Sequence, residues 1–337
     1  MIKSTLPRLA IVVPCFNEEE VLPQTSEQLR LILADMVRDG KIDGSSYICF
    51  VDDGSKDRTW PIICELGSAF PTIGGLRLSR NRGHQNALLA GLFECDADLT
   101  VSIDADLQDD VQAISAMVDA ALDGADIVYG VRRARETDDA FKRVSAQGYY
   151  TLLKALGVEI FYDHADFRLM SRRAVDALKL FGERNLFLRA LVPQLGFESR
   201  MVYYDRAKRA AGVSKYPFRK MLSLAFDGVT SFSTKPLRIV TWVGLLLSVF
   251  SAALAVYVII ARLEGSTVPG WASTVLPLYL ISGVQLFSLG VIGEYVGKIY
   301  IETKGRPRFF VAEQIEARSA ASREISKRSA VLSPAAD

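Results

Sequence analysis

Two uncharged stretches constrain this chain more than any other feature. From Ile239 to Ala261 there is no charged side chain, and the polar members are Thr241, Ser248 and Ser251. A second stretch, Trp271 to Gly293, is also uncharged, with Gln285 its most polar residue. At a rise of about 1.5 Å per residue each forms a helix of about 34 Å, enough for a hydrocarbon core of about 30 Å. Core helices of soluble domains rarely reach that length without a polar face, so the pattern predicts transmembrane helices over about 239–261 and 271–293. The linker Arg262–Gly270 is short, which makes the pair a hairpin. Lys220, Lys235 and Arg238 precede it, Lys298, Lys304, Arg306 and Arg308 follow it, and the linker's one cation is Arg262. That asymmetry places both flanks, and with them both termini, on the cytoplasmic side of an inner membrane. The expected organisation is a cytoplasmic domain over 1–235, the membrane pair over 236–298, and a cytoplasmic C-terminal segment and tail over 299–337.

The 337 residues allow about two folding units. A net charge of +1 provides no general field to recruit nucleic acid, so anion binding must come from local basic clusters. Cys15, Cys49, Cys64 and Cys95 lack metal-ligand spacing, and two of them sit in strand-like runs, so reduced, cytosol-facing thiols are expected. Ile2 to Pro7 is too short for a secretory signal.

The first 130 residues alternate between two periodicities. Strands are expected at Leu9–Pro14, Tyr47–Val51, Gly75–Leu78, Leu99–Ile103 and Asp126–Gly130. Helices are expected at Glu19–Arg38, Thr59–Phe70, Gln85–Cys95 and Val111–Leu122. Such alternation argues for an α/β fold on a parallel sheet with helices on both faces. Ligands on such sheets bind beyond the carboxyl ends of the strands, which selects Pro14–Glu20, Asp52–Asp57, Asn81–Asn86 and Asp104–Asp109.

No GxGxxG follows the first strand and no GxxxxGK[ST] occurs, so dinucleotide and P-loop chemistry fit poorly. The strand ends carry carboxylates instead: Asp52 and Asp53 after the second strand, Asp104 and Asp106 after the fourth. A carboxylate pair repels a phosphate but holds Mg²⁺ or Mn²⁺, which in turn neutralises a diphosphate.

Val13-Pro-Cys-Phe-Asn-Glu-Glu-Glu20, Val51-Asp-Asp-Gly-Ser-Lys-Asp-Arg-Thr59 and Asp104-Ala-Asp-Leu-Gln-Asp109 resemble the nucleotide-sugar motifs of the inverting family 2 glycosyltransferases. Asn81–Gly91, Asp166–Arg172, Arg209–Tyr216, Asp227–Ser233 and Lys235–Arg238 narrow the resemblance to the polyprenyl-phosphate type. That type comprises dolichol-phosphate mannosyltransferase-like enzymes and bactoprenol glucosyltransferases with two spans. The resemblance runs over about residues 8–311. It implies a GT-A nucleotide-sugar-binding fold, Rossmann-like with a mostly parallel sheet. It also implies that Pro14, Asn17 and Glu18 line the nucleoside pocket and that Asp52 reaches base or ribose. Asp53 either joins that pocket or caps the turn through Gly54. Asp104 and Asp106 would handle the donor, with Asp106 and Gln108 nearest the metal, and His84 either touches donor phosphates or makes a structural hydrogen bond.

A sugar hydroxyl must lose a proton as it attacks, so its transferase needs a positioned base. A polyprenyl phosphate is already ionised, and its enzyme needs cations that hold it in line with the anomeric carbon. The chain supplies Arg132, Arg143, Arg168, Arg206, Arg209 and Lys215. The family match points to Arg132 and Arg143 as catalytic contacts of the acceptor phosphate, with Arg209, Ser214 and Lys215 closing as a loop. Asp166 is either a base or the ion-pair partner of its neighbouring arginines.

Segments 141–156 and 216–232 have the apolar and basic spacing of membrane-surface helices, and also of helices packed on the sheet. After about Ala312 a tail is expected, helical near Glu313–Ser326. The expected reaction is metal-dependent, inverting transfer of one sugar, UDP-glucose favoured as donor, to polyprenyl (undecaprenyl) phosphate. Partners are then a nucleotide sugar, polyprenyl phosphate and the bilayer, without nucleic acid; the family alone suggests a homo-oligomer. GDP-mannose or UDP-N-acetylhexosamine donors, a hydroxyl acceptor, and a catalytically silent scaffold are the alternatives.

Overall fold

A computed structural model describes residues 6–132, 164–184, 188–205, 235–264 and 271–317. Arg143, Arg206, Arg209, Ser214 and Lys215, and the segments 141–156 and 216–232, lie outside the described residues. The chain divides into two compact units, one from 1–138, 161–215 and 306–337, the other from 139–160 and 216–305.

In the first unit β1 (Leu9–Cys15), β2 (Tyr47–Asp52), β3 (Ile73–Leu78) and β4 (Leu99–Ser102) alternate with α1 (Leu22–Arg38), α2 (Thr59–Ala69) and α3 (His84–Glu94). Then come α4 (Ala113–Leu122), β5 (Ile127–Arg132), β6 (His164–Ser171), α5 (Arg172–Lys179), α6 (Leu188–Gln194), β7 (Ser199–Tyr204) and, after the helical pair, β8 (Val311–Ile315). The eight strands form one sheet in the order β7-β5-β6-β4-β1-β2-β3-β8. β1 pairs in parallel with β2 and β4, β2 with β3, and β5 with β7. β6 runs antiparallel between β4 and β5, and β8 antiparallel along β3.

The central strands are buried on both faces, and this explains their unbroken apolar runs: every residue of β1 and β2 is buried. α1 places Leu22, Leu29, Ile32, Leu33 and Met36 against the core at helical spacing. It starts at Leu22 rather than Glu19, with proline in its first turn, where a missing N–H costs least. α3 sits so close to the sheet that a Cβ on Gly91 would lie 2.3 Å from Val12 Cγ1.

β6, β7 and β8 were not anticipated by the alternating pattern. The Glu313–Ser326 helix is corrected over its first residues, because 313–315 belong to a strand. The reason is a prepared edge: a Cβ on Gly74 of β3 would meet the Ile315 carbonyl at 2.9 Å, so only glycine admits β8 this closely. The cysteines are free, with Cys15, Cys49 and Cys95 buried and Cys64 half-buried.

The second unit contains α7 (Lys235–Leu263) and α8 (Trp271–Thr303). Among the described residues one stretch, Leu280–Thr303, with mean hydropathy 1.4, is long and apolar enough to cross a membrane. The described side chains of both helices leave large apolar groups exposed, among them Trp242, Leu246, Phe250, Leu286 and Phe287.

Candidate active site

The loops that follow β1, β2 and β4 lie beyond the carboxyl ends of three adjacent strands. The first two are sewn together. Ser55 Oγ accepts the Asn17 N–H at 2.9 Å, the Lys56 N–H donates to Asn17 Oδ1 at 2.9 Å, and Thr59 Oγ1 accepts the Glu18 N–H at 2.9 Å. Asn17 takes the left-handed region, φ 55°, to make this contact, which asparagine tolerates better than most residues. Pro14 is buried in β1, Asn17 is exposed and Glu18 half-buried.

The second loop engages both its aspartates within the fold. Asp53 is buried, and its two oxygens accept the N–H groups of Arg82 at 2.7 Å and Gly83 at 2.8 Å. It therefore holds the turn that opens α3. Gly54 between them, at φ 69°, passes so close to Arg80 that a Cβ would lie 2.7 Å from its carbonyl carbon. Asp52 is fully enclosed as the last residue of β2. One of its oxygens accepts the Ser55 N–H at 3.0 Å, and Arg77 Nε lies 3.5 Å from the other. The sheet register engages Asp52, and the turn at Arg82–Gly83 engages Asp53.

The loop after β4 carries two further acids, Asp104 and Asp106. Asp104 and Asp106 are half-buried, and His84 Nε2 at the start of α3 is 3.5 Å from Asp104 Oδ1 and 3.7 Å from Asp166 Oδ2. Burial and the charges of Asp166, Asp109 and Asp106 push the Asp104 carboxyl up to about 6, against the pull of His84. Glu18 is raised too, by burial and then by Asp106, Asp57 and Asp104, which brings the first and third loops within electrostatic reach. Among the described residues no set of three or more His, Cys, Asp or Glu stands at metal-ligating distance.

Gln108, expected near the metal together with Asp106, is buried and engages Asp106 directly. Leu107 adopts a left-handed backbone, φ 53°, that turns Gln108 back on the loop, where its Nε2 donates to Asp106 Oδ2 at 2.6 Å. With Gln108 buried, its amide holds the half-buried Asp106. The donor set that remains, Asp104 and Asp106 with Glu18 close by, is all oxygen and mutually repelling, and this chemistry fits Mg²⁺ or Mn²⁺.

Arg132 ends β5 and is held by a buried acid that the sequence reading left without a role. Its Nη2 is 2.9 Å from Asp109 Oδ1, and the Tyr204 hydroxyl donates to the same oxygen at 2.5 Å. Asp109 stood in the quoted acidic motif, whereas no local pattern could have brought in Tyr204, which arrives from β7. Asp166 lies 3.0 Å from Arg168 Nη2 and 3.4 Å from Arg189, so of its two readings the ion pair is the one that forms. Burial opposes its charge, but Arg168, Arg189 and His84 hold the carboxyl below the usual range. Arg189 was not singled out, since α6 is short and contains Pro193.

A doubly covered, mostly parallel sheet with acidic loops at the carboxyl ends of its strands is a GT-A-like architecture. Residues 10–179 match the family described as "Glycosyl transferase family 2", and residues 235–299 match "GtrB C-terminal hairpin". The chain belongs to glycosyl transferase family 2 and is a glycosyltransferase. The "Uncharacterized glycosyltransferase YkoT" of Bacillus subtilis (strain 168) is 48% identical, with 92% of each chain covered. The "Bactoprenol glucosyl transferase" of Shigella phage SfX is 38% identical over 90% of this chain and 98% of the phage protein. The "Prophage bactoprenol glucosyl transferase homolog" of Escherichia coli (strain K12) is 37% identical over the same shares.

Proposed function

We propose that this enzyme transfers a single sugar, with inversion, from a nucleotide sugar to polyprenyl (undecaprenyl) phosphate at the cytoplasmic face of the membrane. The observation that carries the reading is the joining, in one chain, of acidic donor loops to a hairpin of two long helices with exposed apolar surface. Apolar groups of that size and number are left in contact with water only at a cost, which a bilayer removes. Both helices are read as crossing it, α7 with α8, and the donor as UDP-glucose in keeping with the names of the phage relatives.

In this reading Asn17 and Glu18 line the nucleoside side of the pocket, held by Ser55, Lys56 and Thr59. Asp53 fixes the Arg82–Gly83 turn and so aims His84 across the pocket at Asp104. Asp104 and Asp106 would hold Mg²⁺ or Mn²⁺, which when bound neutralises the donor diphosphate and eases its departure. Arg132, oriented by Asp109 and Tyr204, presents a preorganised guanidinium to the acceptor phosphate; for Arg143, Arg209, Ser214 and Lys215 the same role rests on the sequence resemblance alone. The acceptor oxygen attacks as an anion, so the ion-paired state of Asp166 leaves nothing missing.

The test is a membrane-extract assay with purified protein, polyprenyl phosphate, Mg²⁺ or Mn²⁺ and a panel of labelled nucleotide sugars. Label from one donor entering the organic phase, and lost with EDTA, is the expected result. Tight nucleotide-sugar binding without lipid label from any donor would turn the reading to a hydroxyl acceptor or a silent binder.

A further inference from the structure

Asp52, Arg77 and Glu313 stand in one row across three adjacent strands. Asp52 on β2 is the register partner of Arg77 on β3, and Arg77 is the partner of Glu313 on β8. Directly opposed side chains share a face of the sheet, so the row alternates acid, base, acid. Arg77 Nη1 is 2.6 Å from Glu313 Oε1, and Arg77 Nε is 3.5 Å from Asp52 Oδ2. Glu313 is itself fixed, because Trp60 Nε1 donates to its second oxygen at 3.2 Å and the Arg77 guanidinium lies over the Trp60 ring at 5.9 Å.

The inner end of this row is unusual. Asp52 is fully buried, and its Oδ2 has no hydrogen-bond partner, so Arg77 is the charge that compensates it. A buried carboxylate without a counterion is costly, and the loop it heads would move to relieve it. That loop is the donor loop: Asp52 Oδ1 accepts the Ser55 N–H, and Ser55 Oγ accepts the N–H of Asn17. Glu313, by contrast, belongs to chain that follows the helical hairpin.

We propose that Glu313 is a positioning residue of the nucleotide-sugar site, acting from the C-terminal strand through Arg77 and Asp52 on the Ser55–Asn17 contact. A strand outside the family 2 match, which ends at residue 179, thereby sets donor affinity. The inference rests on the reading of Asn17 and its loop as the donor pocket.

The experiment compares Glu313→Ala, Glu313→Gln, Trp60→Phe and Asn17→Ala in full-length protein in detergent. Calorimetric titration with UDP and with GDP, each with Mg²⁺, is read beside donor KM, acceptor KM and kcat. Glu313→Ala is expected to weaken nucleotide binding and raise donor KM by about three- to ten-fold, with kcat and acceptor KM within about two-fold. Glu313→Gln, which keeps an acceptor for Arg77 but not the charge, should fall between. Trp60→Phe, which removes the indole N–H that holds Glu313 and keeps an aromatic ring beside Arg77, should shift donor KM in the same direction. Unchanged nucleotide binding in Glu313→Ala, with binding lost in Asn17→Ala, would overturn the proposal while the donor pocket stands. Unchanged binding in Asn17→Ala would overturn the pocket and the proposal together.

Discussion

Arg168 and Asp166, two residues apart on β6, face each other across 3.0 Å, and the arginine is completely enclosed. Its guanidinium also donates to the Leu188 carbonyl at 3.3 Å, and Asp166 is the ion-pair partner that makes the burial of a cation tolerable. Ser102 of β4 donates to the Asp166 carbonyl at 2.5 Å, which locks the pair where the antiparallel strand joins the parallel ones.

Asp166→Asn should therefore cost stability more than chemistry, by about 3–5 kcal/mol for a buried cation left alone. The pH response separates this from a catalytic role. A carboxyl depressed in the folded chain, as Asp166 is by Arg168, Arg189 and His84 against the effect of burial, adds stability that is complete above about pH 4. That stability is lost as pH falls through the folded value. Urea unfolding of the wild type should weaken steeply below about pH 4, and Asp166→Asn, starting lower, should weaken less. Parallel curves would remove Asp166 from the acid response.

Asp106→Asn should abolish turnover and leave membrane insertion intact. Gln108→Ala should be milder and diagnostic: by freeing the Asp106 carboxylate it should raise the Mg²⁺ or Mn²⁺ needed for half activity by about 10–100-fold. Activity at saturating metal should return towards wild type. If added metal restores nothing, Gln108 does more than orient Asp106.

Gly91→Ala tests the seat of α3. Alanine raises helix propensity, yet here its methyl would meet Val12 Cγ1 at 2.3 Å, so overpacking should win and cost about 1–3 kcal/mol. Val12→Ala in the same chain should recover part of that loss in thermal unfolding. A stabilised single variant would mean the helix can lift without penalty.

The first five strands and four helices were legible because their periodicities are unambiguous: Leu9–Val13 is a continuous buried run, and Leu22 to Met36 repeats at helical spacing. β6 and β7 were not. Exposed Arg200, Met201 and Tyr203 interrupt the pattern of β7, and Arg168 puts a charge inside β6 that only the partner Asp166 explains. The site was legible as a set of loops but not as a set of roles. Asp52 and Asp53 look alike in sequence, and only the register with Arg77 and the turn at Arg82–Gly83 tell their surroundings apart. Pairings over such separations, 253 residues for Trp60 and Glu313, leave no local signal.

The last strand makes a prediction about truncation. A chain ending at residue 234 removes more than the hairpin and tail: it also strips β8 from β3, exposing the β3 edge with Gly74 and Gly75 and leaving Arg77 without Glu313. The partly buried Ile315 is lost from the core as well, worth about 1–2 kcal/mol by its apolar area. Such a truncation should unfold at lower temperature than the full chain and associate through the bare edge. Replacing 235–304 by a flexible Gly/Ser linker, so that β8 is retained, should restore both midpoint and monodispersity. Equal midpoints for the two shortened chains would show that β8 contributes nothing to the sheet, and would take the row of Asp52, Arg77 and Glu313 down with it.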